Sequence, residues 1–192
     1  MIKKILFIAL SIPVVTLANP ADELDGLIEE YWQNQLQESP FSATHNGMTD
    51  YNRQVPTVAP KDHARRTQQA AEFLRQLRNI DLNELQDGER INGELLEFIL
   101  RHDVALAEFE GWRIPILADS GFHLSMNYVV GATPFRNKLD YQDYLARLSA
   151  LPGYVDQNVA NMRRGLRDRF TQPKQILNGI LPSFEALVVD DP

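Results

Sequence analysis

The chain has no cysteine among its 192 residues. A disulfide, a thiolate nucleophile and a lipid-modified cysteine anchor are all excluded, so a packed core must supply the stability. Histidine is also scarce. His45, His63, His102 and His123 stand at least eighteen residues apart, and no pair falls at i, i+3 or i+4. The helical HExxH and ExxH arrangements, which aim two ligands at one ion, are therefore absent. The sequence also lacks a GxSxG elbow, a glycine-rich phosphate loop and any low-complexity tract. Basic residues are in the minority, 19 Lys and Arg against 26 Asp and Glu, for a net charge of -7. That balance argues against nucleic acid and against anionic membrane surfaces as partners.

The N-terminus carries the clearest positive feature. "MIKKILFIALSIPVVTLANPADELD" opens with Lys3 and Lys4, runs apolar from Ile5 to Leu17 and ends in small residues at Ala18. A charged region, a short apolar region and a small-residue cleavage site make residues 1–18 an expected secretory signal peptide. Pro13 interrupts an apolar run shorter than the roughly 20 residues a membrane span needs. Cleavage after Ala18 would take the charge from -7 to -9 and leave residues 19–192 as one domain, with no membrane attachment. The expected location is outside the cytoplasm, in a bacterial periplasm.

Apolar spacing is helical almost everywhere, and it predicts an all-α, irregular bundle of about six helices. Leu24, Leu27, Ile28, Tyr31, Trp32 and Leu36 form one face, with Asp22 as a cap and Pro40 as a stop. Residues 42–60 are rich in turn formers and read as a loop. Pro60 opens a second helix, and a third carries Ile91, Leu95, Phe98, Ile99, His102, Leu106 and Phe109 along one stripe. That stripe should be buried, with His102 as a satisfied core histidine. Leu139 and the Asp140 cap open a fourth helix, Pro152 a fifth, and Thr171 with Pro173 a sixth. Pro182 should kink or split the last one, whose apolar set of Ile176, Leu177, Ile180, Leu181, Phe184, Leu187 and Val188 is wide for a solvated helix.

Candidate chemistry is sparse. Glu94, Glu97, Glu108 and Glu110 sit on the polar side of the third helix, where charge is simply solvated. Arg163, Arg164, Arg167 and Arg169 meet the negative end of their helix, although a substrate carboxylate could use the same guanidinium groups. Gly121 to Phe135 is different, because it contains no Asp, Glu, Lys or Arg. It offers His123, Asn127 and Tyr128 as polar groups among apolar neighbours, between glycines that permit close backbone approach. These three are the candidate substrate-binding residues. A buried crossover that serves its own backbone is an equal reading, and no catalytic or metal-binding residue is assigned.

Several stretches carry a family resemblance: "LIEEYWQNQLQESPFSATHNGMTDYN", "HARRTQQAAEFLRQLRNIDLNEL", "RINGELLEFILRHDVALAEF" and "PFRNKLDYQDYLARLSALPGYVDQNVANMRRGLRDRFTQPKQIL". In order, spacing and helix breaks they resemble the N-terminal portion of the bacterial domain-of-unknown-function family 885. The resemblance implies an exported, helical, zinc metallopeptidase-like protein. Complete members continue into a helix with an HExxPGHHxQ-type motif, which would supply zinc ligands and a general base. Nothing in this sequence resembles that motif, so no zinc and no other cofactor is expected in this chain. The expectation is an N-terminal helical part, inactive by itself, whose partners are a peptide-like substrate or the missing catalytic half. The resemblance places Gly121 to Phe135 ahead of the catalytic half, as a wall of the cleft. The alternative is a free-standing periplasmic helical module that binds a peptide or a partner protein.

Overall fold

Proline sets the helix starts. Pro20, Pro40 and Pro60 each occupy the first turn of a helix, where a missing backbone donor costs nothing. The computed structural model describes residues 19–185, except for the side chains of residues 126–128. The expected signal peptide, and Leu187 and Val188 of the expected last helix, lie outside the described residues. Seven α-helices follow one another: α1 (Pro20–Glu38), α2 (Pro40–His45), α3 (Pro60–Leu77), α4 (Asp87–Leu106), α5 (Phe122–Ala132), α6 (Lys138–Arg167) and α7 (Lys174–Glu185). No strand occurs among the described residues, and the all-α expectation holds.

Two apolar clusters hold these helices. The first joins α1, α3 and α4 through Leu24, Leu27, Leu74, Leu77, Leu96 and Leu100. Gly93 lets α4 come close, since a Cβ there would lie 2.8 Å from Leu82 Cδ2. The second cluster is Ile116, Phe122, Tyr154 and Ile180, ringed by Phe41, Val58, Met162 and Phe184. It ties α5, α6 and α7 to the segment that follows α2.

Four sequence expectations change. Helix α4 is rotated from the expected orientation: Gly93, Leu96 and Leu100 are buried, whereas Ile91, Leu95, Phe98, Leu106 and Phe109 are exposed. His102 is exposed too, stacked on Phe98, and is not a core histidine. The physical reason is the small Gly93, which gives the inner seam a closer approach than the bulkier stripe allows.

Pro152 does not start a helix. It lies within α6, on an exposed face, where the carbonyl freed by the missing donor can turn toward water. Pro182 likewise lies inside α7, which runs through it to Glu185. The N-caps also move. Asn19, not Asp22, accepts from the Ala21 amide, and Asn137, not Asp140, accepts from the amides of Leu139 and Asp140. Finally, residues 42–60 are not all loop: they contain the end of α2 and a 3₁₀ turn at Thr49–Tyr51.

The inward face of α6 is mostly polar. Asp140, Asp143, Arg147, Tyr154, Asn158, Asn161 and Gly165 are buried at helical spacing, while Leu139, Leu145, Leu148 and Leu166 are exposed. Its polar groups grip the backbone of the 40–58 segment. Arg147 Nε donates to the Gln54 carbonyl at 2.8 Å, Asn161 Nδ2 donates to the Val58 carbonyl at 2.6 Å, and Gln157 Oε1 accepts from the Val58 amide at 2.7 Å. An irregular segment is thereby satisfied from outside itself, as buried backbone requires.

Candidate functional site

The expected site residues fall on α5. His123 is buried, 2% exposed, and its ring stacks on Phe184 with centroids 4.1 Å apart. Its Nε2 meets Ser183 Oγ at 2.9 Å. That hydroxyl donates to the Ile180 carbonyl, so Nε2 must carry the proton and donate to Oγ. This polarity is opposite to that of a base activating a serine. Nδ1 is buried without a partner, and burial holds the imidazole below its usual pKa. Gly121 packs closely beside it, since a Cβ would sit 3.0 Å from Nδ1 and 3.3 Å from the Ile116 Cα. Asn127 and Tyr128 lie in the second turn of the same helix, and their side chains are outside the described set.

A larger concavity than the His123 surroundings lies elsewhere among the described residues. A solvent-open groove of about 720 Å³ runs between α1, α3 and the turns that follow α4. Glu110, at a left-handed φ of 46°, turns the chain so that Gly111–Arg113 forms a 3₁₀ turn. This brings Trp112 onto His63 of α3, with rings nearly parallel at 9° and centroids 5.1 Å apart. Tyr31 and Phe73 meet edge to face at 5.7 Å and line the groove with them.

Its polar groups are ordered by one carboxylate. Glu38, at the end of α1, accepts from Arg65 through both oxygens and from Arg66 Nε at 2.9 Å. The Arg65 hydrogen bonds chiefly, and the two positive charges with them, hold the Glu38 carboxyl below its ordinary pKa despite partial burial. Arg66 also donates to the Thr57 carbonyl. Its Nη1 lies 3.5 Å from His63 Nδ1, the limit of a hydrogen bond. The other ring nitrogen, Nε2, is buried without a partner. Burial, and then the Arg66 charge, depress the His63 pKa. Burial raises the Tyr31 phenol, with the Asp103 charge adding to it, and burial raises the Asp103 carboxyl as well.

No group of three or more His, Asp or Glu side chains converges to hold a metal among the described residues. Glu38 is committed to two arginines, and His123 faces Ser183 and Phe184. The described residues do not form the zinc site that the resemblance implies for complete proteins, and no step through zinc follows from them. The Arg163, Arg164, Arg167 and Arg169 side chains are all exposed at the end of α6 and beyond it. Glu94, Glu108 and Glu110 are exposed, and Glu97 is half-buried against Arg78 at 3.5 Å.

Sequence reasoning did not single out the groove. Its residues come from three separate segments, and no spacing joins them. The one available signal was Trp112, one of two tryptophans, just past the end of a helix.

Fold and site together define an all-helical protein with an aromatic-walled, open groove and no strand among its described residues. The chain belongs to a family of bacterial proteins of unknown function, DUF885, whose family model matches residues 40–192. No curated protein and no solved structure matches it. Among the described residues no helix is long and apolar enough to cross a membrane.

Proposed function

We propose that the groove between α1, α3 and the Gly111–Arg113 turn holds a segment of peptide. In this reading the chain is the substrate-holding helical part of an exported, metallopeptidase-like protein. The observation that carries the reading is the groove's make-up. Flat aromatic walls from Tyr31, Phe73 and Trp112 face a carboxylate and guanidinium groups fixed by one another. Such walls bind apolar side chains at little entropic cost, and fixed polar groups orient a peptide backbone. The family resemblance supplies the link to peptide cleavage.

The test is a fluorescence titration of the purified chain with unstructured peptides. Quenching of Trp112 is expected, and Trp112→Ala should weaken binding about tenfold or more. Unchanged affinity in both Trp112→Ala and Arg66→Ala would remove the groove from consideration. Export is tested separately by intact mass. A mature protein beginning at Asn19 is expected in the periplasmic fraction, and Met1 retained on cytoplasmic protein would contradict it.

A second reading has its own support. The exposed row of Ile91, Leu95, Phe98 and Leu106 on α4, continued by Phe109 in the turn after it, suits a module that docks on another protein. Under that reading Phe98→Ser would abolish assembly while peptide binding in the groove stayed absent.

A further inference from the structure

The outer face of α4 is apolar at a spacing that its own fold does not use. Gly93, Leu96 and Leu100 are the buried side of the helix. On the other side Ile91, Leu95 and Phe98 are 59%, 55% and 67% exposed, and the exposed His102 ring stacks on Phe98. The steps between these four are four, three and four residues, as between alternating d and a positions of a heptad. Large apolar side chains at that spacing form the narrow seam along which one helix packs on another. None of the four lines the groove.

The charges beside the seam say what covers it. In the same heptad frame Glu94 and Arg101 both fall at g positions, while Asn92, Ile99 and Leu106 at e carry no charge. Arg101 is exposed and in no ion pair among the described residues, and Arg90 reaches Glu94 only at 3.7 Å. In a parallel pair g faces e, which would leave both charges unanswered. In an antiparallel pair g faces g. Setting Leu95 against Phe98 then brings Glu94 to Arg101 of the second copy, and the two-fold axis repeats the pair. We propose that α4 packs antiparallel on α4 of a second copy of this chain, with the axis level with Leu96 and Glu97. The layers are Ile91 on His102 and Leu95 on Phe98, each occurring twice. A slip of one heptad either way would set Glu94 against Glu108 or against its own counterpart, so charge fixes the register. The end pair of the proposed register, Asp87 and Glu108, is acidic on both sides. Arg90 holds Asp87 at 2.8 Å, however, and Glu108 lies in the turn beyond α4. The pairing rests on the second reading above and names its docking partner. Four layers make a small interface, below the ~1,200 Å² of stable complexes, so a reversible dimer with Kd of about 10–100 µM is expected. In dilute solution Phe98 stays solvated.

The test is sedimentation velocity of the purified chain at low salt, from about 2 to about 200 µM, which spans that constant. Wild type should pass from monomer to dimer, and Phe98→Ser should stay monomeric. Glu94→Arg and Arg101→Glu should each weaken the dimer about tenfold, because each sets like charges together at two places. The double variant should recover the wild-type constant to within about threefold. So should an equimolar mixture of the two single variants, in which every facing pair is opposite in charge. All these side chains are exposed, so melting curves in dilute solution should match wild type. A wild type that is monomeric throughout overturns the pairing, as does a dimer that survives Phe98→Ser. Single charge variants without effect, or without recovery in the double variant and the mixture, overturn it too. A monomer that binds a dye for exposed apolar surface, and loses it in Phe98→Ser, would remove the second copy and leave the docking face standing. A monomer that binds no dye would remove both.

Discussion

Arg147 Nη2 donates to Thr44 Oγ1 at 2.8 Å, joining α6 to α2 across 103 positions of sequence. The same hydroxyl donates onward to Asn52 Oδ1 at 2.8 Å. Three buried polar side chains from three segments thus form one chain of hydrogen bonds, with the Phe41 ring lying over the guanidinium at 5.5 Å. Such a network fixes one arrangement of the 40–54 segment, since every alternative strands a buried polar group.

The first prediction follows from that network. Arg147→Met leaves the Gln54 and Tyr51 carbonyls and the Thr44 hydroxyl short of a donor, and should cost at least about 3 kcal/mol. Thr44→Val should cost about 1–3 kcal/mol. Denaturant melts of both variants and of the double variant should give a coupling of about 0.5–3 kcal/mol, as for residues in one network. Strict additivity would mean that the two side chains act separately.

The orientation of α4 can be checked by a pair of substitutions. Leu100→Ala opens a void in the first cluster and should cost about 2–5 kcal/mol. Phe98, 67% exposed, should tolerate alanine within about 0.5 kcal/mol. The reverse order of stabilities would put the predicted stripe inside after all.

Acid should destabilise the fold in two stages. His63 and His123 both have folded pKa values below the ordinary 6.5, so the unfolded chain takes up protons first as pH falls. Their contribution is complete above 6.5 and is lost as pH falls from there through the folded values. Glu38 is depressed below 4.5, and its contribution is lost as pH falls from 4.5 through its folded value. Melting temperatures measured from pH 8 to 3 should therefore drop first below about 6.5. In His63→Gln the first drop should shrink and the second persist. A first drop unchanged in both His63→Gln and His123→Gln would contradict the assignment.

Metal content provides a fourth check. Purified chain should hold no stoichiometric zinc after dialysis, by elemental analysis. One tightly held zinc per chain would require ligands beyond the described residues, or a rearrangement that brings distant ones together.

The sequence by itself determined the helical class, the start of the helix at Pro60, and the family to which the chain belongs. These are local properties: apolar periodicity, the fixed φ of proline and the order of helix breaks. It did not determine which face of α4 or α6 is inside. In α4 the bulkier stripe lost to the seam of Gly93, Leu96 and Leu100, because close helix approach depends on what the neighbour offers. In α6 the buried face is polar, because its neighbour is irregular backbone with carbonyls and amides to satisfy, a demand that no hydrophobic pattern encodes. The same reason hid the groove. It is assembled from segments far apart in sequence, and only tertiary packing decided that Trp112 lies on His63, and that the guanidinium of Arg147 keeps one nitrogen free.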